Sequence, residues 1–180
     1  MEQGTAAERI ARLPCWEGEV SAEPMAGGLS NEIWKVADAR GTHVVRFGAD
    51  YPFHHVLRER EQMTARAAHA AGFAPAVEWT GEGVMVTRFV TARTWTAATL
   101  RAEAPRLAAL LRDFHDAMAC EVSGAPYLFW PFHVVRDYAR ILREGGSAHA
   151  ADLPRLLALN RALERTQPPQ PLVFGHNDLL

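Results

Sequence analysis

Residues 25–36 read MAGGLSNEIWKV, with two adjacent glycines between segments of different character. Gly27 and Gly28 separate a short extended segment, residues 20–25, from residues 33–37, where side chains alternate in character. That arrangement predicts strand, tight turn, strand. Glycines let a backbone approach a ligand closely, and successive N–H groups in such a turn can form an anion-binding concavity. The alternative is an ordinary hairpin with a glycine turn.

A third strand is predicted from residues 42–47, THVVRF, which follow a turn over residues 38–41. Arg46 lies within this apolar run, where an unpaired charge would be costly. Its guanidinium fork matches the oxygens of a phosphate. The alternative places Arg46 on the solvent face of a half-exposed strand.

An alanine-rich helix is predicted over residues 53–71, with Gly72 as its C-terminal cap. Glutamates at 59 and 61 lie near its middle, and one of them could face inward to orient Arg46. Residues 76–80 and 84–89 predict two further strands joined by a Gly-Glu-Gly turn. We therefore expect a five-stranded antiparallel sheet with one helix inserted after the third strand.

The second half of the chain is predicted to be helical. Leucines and other apolar residues recur at helical spacing over residues 105–118. Further helices are predicted from 131 to 144 and from 153 to 165, each ended by Gly-Gly or Pro-Pro. The domain boundary then falls near residue 91, which divides the chain into 1–91 and 92–180. At the other end, Thr5 to Glu8 form a capping box for a short first helix.

The last residues, 172–180, read LVFGHNDLL. Residues 172–174 predict an apolar strand, and the strand leads into His176, Asn177 and Asp178. An Asp in a loop commonly serves as a turn residue or a helix cap, which is the alternative to a catalytic role.

Taken in order, these motifs resemble the choline/ethanolamine kinase family, within the aminoglycoside-phosphotransferase-like small-molecule kinases. The matching stretches are GGLSN at 27–31, VVRF at 44–47, Arg58-x-x-Glu61 leading to GFAP at 72–75, TRFV at 87–90 and VFGHNDLL at 173–180. The resemblance implies an α+β, protein-kinase-like fold of two lobes, with an incomplete helical C-lobe that ends inside the catalytic loop.

The resemblance also implies roles for individual residues. Asp178 would be the catalytic base, with His176 bracing its loop. Arg46 would stand in for the kinase lysine and pair with Glu61, which fits the family spacing better than Glu59. The other nucleotide contacts would be the glycine hairpin on the ATP phosphates (Gly27, Gly28, Ser30, Asn31) and a hinge that holds adenine (Thr87, Arg88, Phe89, Val90).

The implied function is ATP-dependent phosphorylation of a small amino alcohol such as choline or ethanolamine, with magnesium as the metal. The alternatives are a non-catalytic nucleotide-binding or interaction module, and a kinase for thiamine or an aminoglycoside. The family's catalytic-loop Asn and its later acidic metal ligand would come after residue 180, so no metal ligand is assigned. We expect the 180-residue chain to be a fragment or shortened product that is inactive, binds Mg-ATP poorly and self-associates through its uncovered C-lobe surface.

Composition excludes several other classes. A net charge of −2 and 48% hydrophobic residues describe a globular protein, not a nucleic-acid binder. No apolar run approaches the roughly 20 residues needed to span a bilayer, and the N-terminus lacks the pattern of a signal peptide. Cys15 and Cys120 are far apart and predict neither a zinc site nor a disulfide framework. A cytoplasmic location with reduced thiols is expected.

Overall fold

The computed structural model describes residues 4–25, 32–124 and 128–175. These residues form two compact units. The first takes in the described residues of Met1–Val122 and Val173–Leu180, and the second takes in those of Ser123–Leu172. The lobe boundary near residue 91 stays a prediction.

The first unit is built on a five-stranded sheet. Its strands are β1 (Ser21–Pro24), β2 (Glu32–Asp38), β3 (Gly41–Phe47), β4 (Val77–Gly81) and β5 (Val84–Arg88). They lie in the order β1-β2-β3-β5-β4, and every neighbouring pair is antiparallel. The predicted five-stranded antiparallel sheet is confirmed, with the chain leaving it for a helix after β3.

The two faces of this sheet bury different residues, because side chains alternate along each strand. Val36, Val45 and Val86 are buried on one face together with Ile10 of α1 (Ala6–Ala11). We call this the α1 face. The predicted capping box begins α1: the Thr5 N–H donates to Glu8 Oε2 at 2.7 Å, and the Glu8 N–H donates to Thr5 Oγ1 at 3.3 Å.

The opposite face of the sheet, here the α2 face, lies against α2 (Arg58–Ala70). The prediction that this helix begins at residue 53 is wrong. Pro52–His54 form a single 3-10 turn, and His55 has a left-handed backbone with φ 61°. A left-handed residue cannot continue an α-helix, so the regular helix starts only after it.

The C-terminal cap of α2 is the predicted one. The Gly72 N–H donates to the His69 carbonyl at 3.0 Å, and the Phe73 N–H donates to the Ala68 carbonyl at 2.8 Å. This is the Schellman arrangement, which requires a left-handed residue after the helix. Gly72 provides it with φ +83°.

We expect Gly72→Ala to lower the free energy of unfolding by about 1 kcal/mol, because a Cβ disfavours the left-handed backbone. A Cβ at this position would meet nothing within 4 Å, so conformation alone is tested. Gly72→Asn is the control, since Asn tolerates this backbone better and should lose less. Urea unfolding measures both variants. A Gly72→Ala protein as stable as the wild type would contradict the assignment.

Two further helices, α3 (Ala97–Ala102) and α4 (Ala104–Glu121), belong to the first unit. Met118 of α4 is fully buried against Ala67 and Ala68 of α2. Phe174 packs on the same cluster, with its ring 5.7 Å from that of Phe114. The end of α4 and the segment before residue 176 are therefore held to the back of α2.

The predicted strand at residues 172–174 is wrong. Those residues carry no strand assignment and pair with none of the five strands. Leu172 is 82% exposed, and only Phe174 of the three packs into the core. An apolar tripeptide becomes a strand only where a neighbouring strand accepts its backbone hydrogen bonds, and the described residues offer it none.

The second unit consists of α5 (Pro131–Glu144), a 3-10 segment (Ala148–Asp152) and α6 (Leu153–Glu164). Both helices begin at the predicted residues, Pro131 and Leu153. The Trp130 Nε1–H donates to Glu164 Oε1 at 2.7 Å, and the buried Asn160 amide donates to the Phe132 carbonyl at 3.0 Å. These two bonds tie the start of α5 to α6. No helix within the described residues is both long enough and apolar enough to cross a bilayer.

Candidate functional site

A charged pair crosses from the sheet to α2. Arg46 of β3 lies on the α2 face, between Ile33 of β2 and Met85 of β5. Its Nη2 makes an ion pair with Oε1 of Glu61, and the two side chains are 30% and 26% exposed. The predicted pairing is confirmed, and Glu59 is exposed instead. The alternative of an arginine pointing away from the protein is therefore excluded.

A second arginine shares the same carboxylate. Arg58 Nη1 lies 2.6 Å from Glu61 Oε2, so each oxygen of Glu61 faces a different guanidinium. Sequence spacing selected Glu61, but it did not indicate this contact of Arg58. A pocket that is partly open to solvent lies beside the cluster, and its lining is Arg46, Gly48, Arg58, Glu61, Gln62, Gly83, Val84 and Met85.

One side of this pocket is a close backbone approach. The Gly48 N–H donates to the Gly83 carbonyl at 2.9 Å, which ties the end of β3 to the β4–β5 turn. Gly83 has φ +67°, and a Cβ there would come within 3.1 Å of the Gly48 oxygen. Only glycine meets both conditions without strain.

The four predicted hinge residues lie at the end of β5 and just beyond it. Thr87 is on the α2 face, opposite Val44. The Arg88 N–H donates to the Ala76 carbonyl at 2.9 Å, and the Phe89 N–H donates to the Thr42 carbonyl at 3.0 Å. Val90 is 58% exposed. The N–H groups of Arg88 and Phe89 are thus already engaged within the protein.

A second cation lies on the α2 face. Lys35 of β2 pairs with Glu23 of β1 at 2.8 Å, and its Nζ lies 5.4 Å from the centre of the Phe89 ring. A cation over an aromatic face is attracted by the ring's quadrupole. Lys35 therefore links the first strands of the sheet to the residue after β5. The alternation of residues 33–37 placed Lys35 on a face but did not reveal this contact.

The α1 face holds a buried ionic cluster that the sequence did not predict. His43 of β3 is 2% exposed and lies beneath Trp16, with ring centres 5.5 Å apart. Its Nε2 is 2.9 Å from Asp38 Oδ1, and its Nδ1 contacts the carboxylate of Glu78. Each ring nitrogen of His43 therefore faces a carboxylate oxygen, which can accept a hydrogen bond from it. The register of β4 and β5 shifts between Val77 and Trp79, around Glu78.

Asp38 is the most strongly perturbed group of this cluster. Burial by itself would raise the pKa of its carboxyl. Hydrogen bonds from the Glu17 N–H, from His43 and from Arg40 outweigh burial and hold the pKa of Asp38 well below its usual range. The same two opposing effects act on Glu78. Burial would raise the pKa of its carboxyl, but hydrogen bonds from His43 and Arg88 outweigh burial and lower that pKa.

Because of these two carboxyls, we expect the free energy of unfolding to decline at acidic pH, and we call this decline the acid limb. A carboxyl with a lowered folded-state pKa stabilises the protein above its unfolded-state pKa, and that stability is lost as pH falls through the folded value. We therefore expect their contribution to be constant from neutral pH down to about pH 4 and to decline below it. Urea unfolding from pH 7 to pH 3 measures the decline. Glu78→Gln should unfold more easily at pH 7 and show a shallower acid limb, and an unchanged limb would contradict the cluster's role.

Comparison with known proteins places this chain in a family. The family model described as "Phosphotransferase enzyme family" (APH) matches residues 21–180. The chain belongs to the phosphotransferase enzyme family. No curated protein matches it.

Two solved structures of kinases share the fold of this phosphotransferase-family chain. Choline kinase from Cryptosporidium parvum Iowa II has a TM-score of 0.59 at 14% identity, over 81% of this chain and 44% of the kinase chain. Plasmodium vivax ethanolamine kinase has a TM-score of 0.54 at 16% identity, over 70% of this chain and 37% of the kinase chain. The protein-kinase-like fold predicted from the motifs is confirmed. The chain spans less than half the length of either kinase.

Several predicted site residues of this phosphotransferase-family chain lie outside the described residues. They are Gly27, Gly28, Ser30 and Asn31 of the glycine hairpin and Asp178 of the His-Asn-Asp motif. Their roles stay predictions.

The described residues do not fit a magnesium ion. Residues 4–25, 32–124 and 128–175 contain no group of three or more His, Cys, Asp or Glu side chains that could hold a metal. Glu61, the carboxylate nearest Arg46, already faces two guanidinium groups. Magnesium favours carboxylate, phosphate and water oxygens, which a carboxylate neutralised by two arginines does not provide well.

Proposed function

We propose that this chain carries the nucleotide-binding part of an ATP-dependent phosphotransferase that acts on the hydroxyl of a small amino alcohol such as choline or ethanolamine. The observation that carries the proposal is the Arg46–Glu61 ion pair between β3 and α2. In kinases a strand cation paired with a helix glutamate holds the nucleotide phosphates. Here that pair occurs in a member of a phosphotransferase family.

Arg46 is the group proposed to contact the phosphates. A guanidinium has five N–H donors and stays charged, so it can keep one bond to Glu61 and direct others to phosphate oxygens. Gly48 at the end of β3 and Gly83 in the β4–β5 turn both line the same pocket, so their backbone atoms also lie close to it. The glycine hairpin of residues 27–31 is proposed to cover the phosphates from the other side.

The adenine is proposed to lie along the hinge at Thr87, Arg88, Phe89 and Val90. The N–H groups of Arg88 and Phe89 already donate to Ala76 and Thr42. Hydrogen bonds to the base are therefore assigned to hinge carbonyls and to the Val90 N–H. Lys35 and Phe89 form the edge of the α2 face at this point.

Asp178 is proposed to accept the proton of the substrate hydroxyl as its oxygen attacks the γ-phosphorus and ADP leaves. The amino alcohol as acceptor rests on the His-Asn-Asp-Leu-Leu context of Asp178, which resembles choline and ethanolamine kinases. Thiamine and aminoglycosides are the other acceptors to be tested. A non-catalytic nucleotide-binding module is the second candidate function.

The test is ATP consumption by the complete enzyme, meaning the natural protein that contains this sequence. Choline, ethanolamine, thiamine and an aminoglycoside are offered separately. We expect consumption that depends on an amino alcohol. Nucleotide binding without consumption for any acceptor would favour the non-catalytic module, and absence of both would refute the proposal.

A further inference from the structure

Arg58 is bonded to three parts of the structure around the start of α2. Its Nη1 lies 2.6 Å from Glu61, its Nε–H donates to the Ala49 carbonyl at 2.8 Å, and its backbone N–H donates to Asp50 Oδ1 at 2.7 Å. The side chain is only 12% exposed. These bonds connect the first turn of α2 to the segment that leaves β3.

Glu61 is the point where this arrangement meets the candidate site. Arg46 takes one carboxylate oxygen and Arg58 takes the other, so two positive charges share one negative charge. Hydrogen bonds between charged groups are stronger than neutral ones and are directional. Since Arg58 is itself held by the Ala49 carbonyl, the orientation of the Glu61 carboxylate is fixed.

We propose that Arg58 is a positioning residue: it fixes the Glu61 carboxylate and thereby sets where the Arg46 guanidinium points. It also keeps Glu61 paired when Arg46 turns some of its donors to an anion. The part of the inference that concerns phosphate rests on the proposed function. The part that concerns the Arg46–Glu61 pair does not.

The competing explanation is that Arg58 only anchors the end of the helix. One observation counts against it. The bonds to Ala49 and Asp50 would be enough to anchor the helix. Arg58 Nη1 instead contacts the Glu61 carboxylate, the same group that Arg46 binds.

The first experiment compares the affinities of the 180-residue chain for ADP and for adenosine by NMR titration. Their ratio isolates the contribution of the phosphates from that of the hinge. Arg58→Gln should lower the ratio by at least about fivefold, the lower end of typical coupling between two groups. Arg58→Lys should fall between that variant and the wild type, because an ammonium restores the charge at Glu61 but its single nitrogen lacks the planar fork that bonds Glu61 and Ala49 from two nitrogens.

Arg66→Gln is the matched control, since Arg66 lies on the same helix and its guanidinium donates to Thr80 Oγ1 at 3.1 Å. It should leave the ratio unchanged. If Arg58→Gln lowers the two affinities equally, or neither of them, Arg58 acts only as an anchor and the inference is overturned.

The second experiment decides the inference even if the wild type binds no nucleotide, an outcome that would refute the proposed function alone. A double-mutant cycle of Arg46→Met and Glu61→Gln, read by urea unfolding, measures the coupling of that pair. Repeating the cycle in the Arg58→Gln and Arg58→Lys backgrounds shows how the coupling depends on Arg58. Positioning predicts a weaker coupling without Arg58. If Arg58 merely competes with Arg46 for Glu61, the coupling will rise, and a rise or no change would refute the inference.

Discussion

Replacing Asp178 by Asn is expected to lower the turnover of the complete enzyme by roughly 10²–10⁴-fold, the usual contribution of general-base assistance. Asn has nearly the same shape but cannot accept the proton of the substrate hydroxyl. The loss should therefore fall on kcat, while the affinity for ATP stays close to that of the wild type. Steady-state kinetics with the preferred amino alcohol measure both quantities.

The matched control is Asp113→Asn on α4, which changes an exposed carboxylate to an amide in the same protein. It should turn over at the wild-type rate. An Asp178→Asn enzyme with an undiminished rate would remove Asp178 from the mechanism. A loss confined to KM for ATP would instead assign Asp178 to nucleotide binding.

The largest effect on stability is expected from His43→Leu. Leucine fills much of the same volume under Trp16, but it leaves the carboxylates of Asp38 and Glu78 without the imidazole ring that lies between them. Leaving a buried polar group without its hydrogen-bond partner typically costs about 1–3 kcal/mol, and more for a charged group. We expect a loss of that size in the free energy of unfolding at pH 7, measured in urea.

His69→Leu is the control for this substitution. His69 is exposed on α2, and its Nδ1 lies 3.1 Å from the Ala74 carbonyl. Losing a single exposed hydrogen bond should cost about 1 kcal/mol or less. If His43→Leu is no more damaging than His69→Leu, the cluster does not stabilise the sheet in the way described.

The sheet could be predicted from sequence because its signals are local. Period-two alternation, the Gly-Glu-Gly turn at residues 81–83 and the cap at Gly72 each act within a few residues. The Arg46–Glu61 pair could be predicted because a charge inside an apolar strand needs a partner, and the family motif indicated which glutamate supplies it. Both predictions need only the sequence and no knowledge of the tertiary structure.

The elements that were missed depend on contacts between distant parts of the chain. His43 contacts Glu78, which lies 35 positions later in the chain, beside a register shift between β4 and β5. No local sequence pattern predicts that shift. The helix α2 starts later than predicted because His55 has a left-handed backbone, and the presence of a histidine does not indicate that conformation. Residues 172–174 have the composition of a strand, but no described strand lies beside them. The composition of a segment sets its secondary-structure preference, and its tertiary contacts decide which structure it adopts.

The central claim is that the α2 face of the sheet, with Arg46 and the hinge, holds a nucleotide. Titrating the ¹⁵N-labelled 180-residue chain with ADP and following its backbone amide signals tests this most directly. The account predicts shifts at Arg46, at Glu61 and along residues 87–90, and their loss in an Arg46→Met variant. Shifts confined to the α1 face, around Trp16 and His43, or no shifts at saturating ADP, would contradict it.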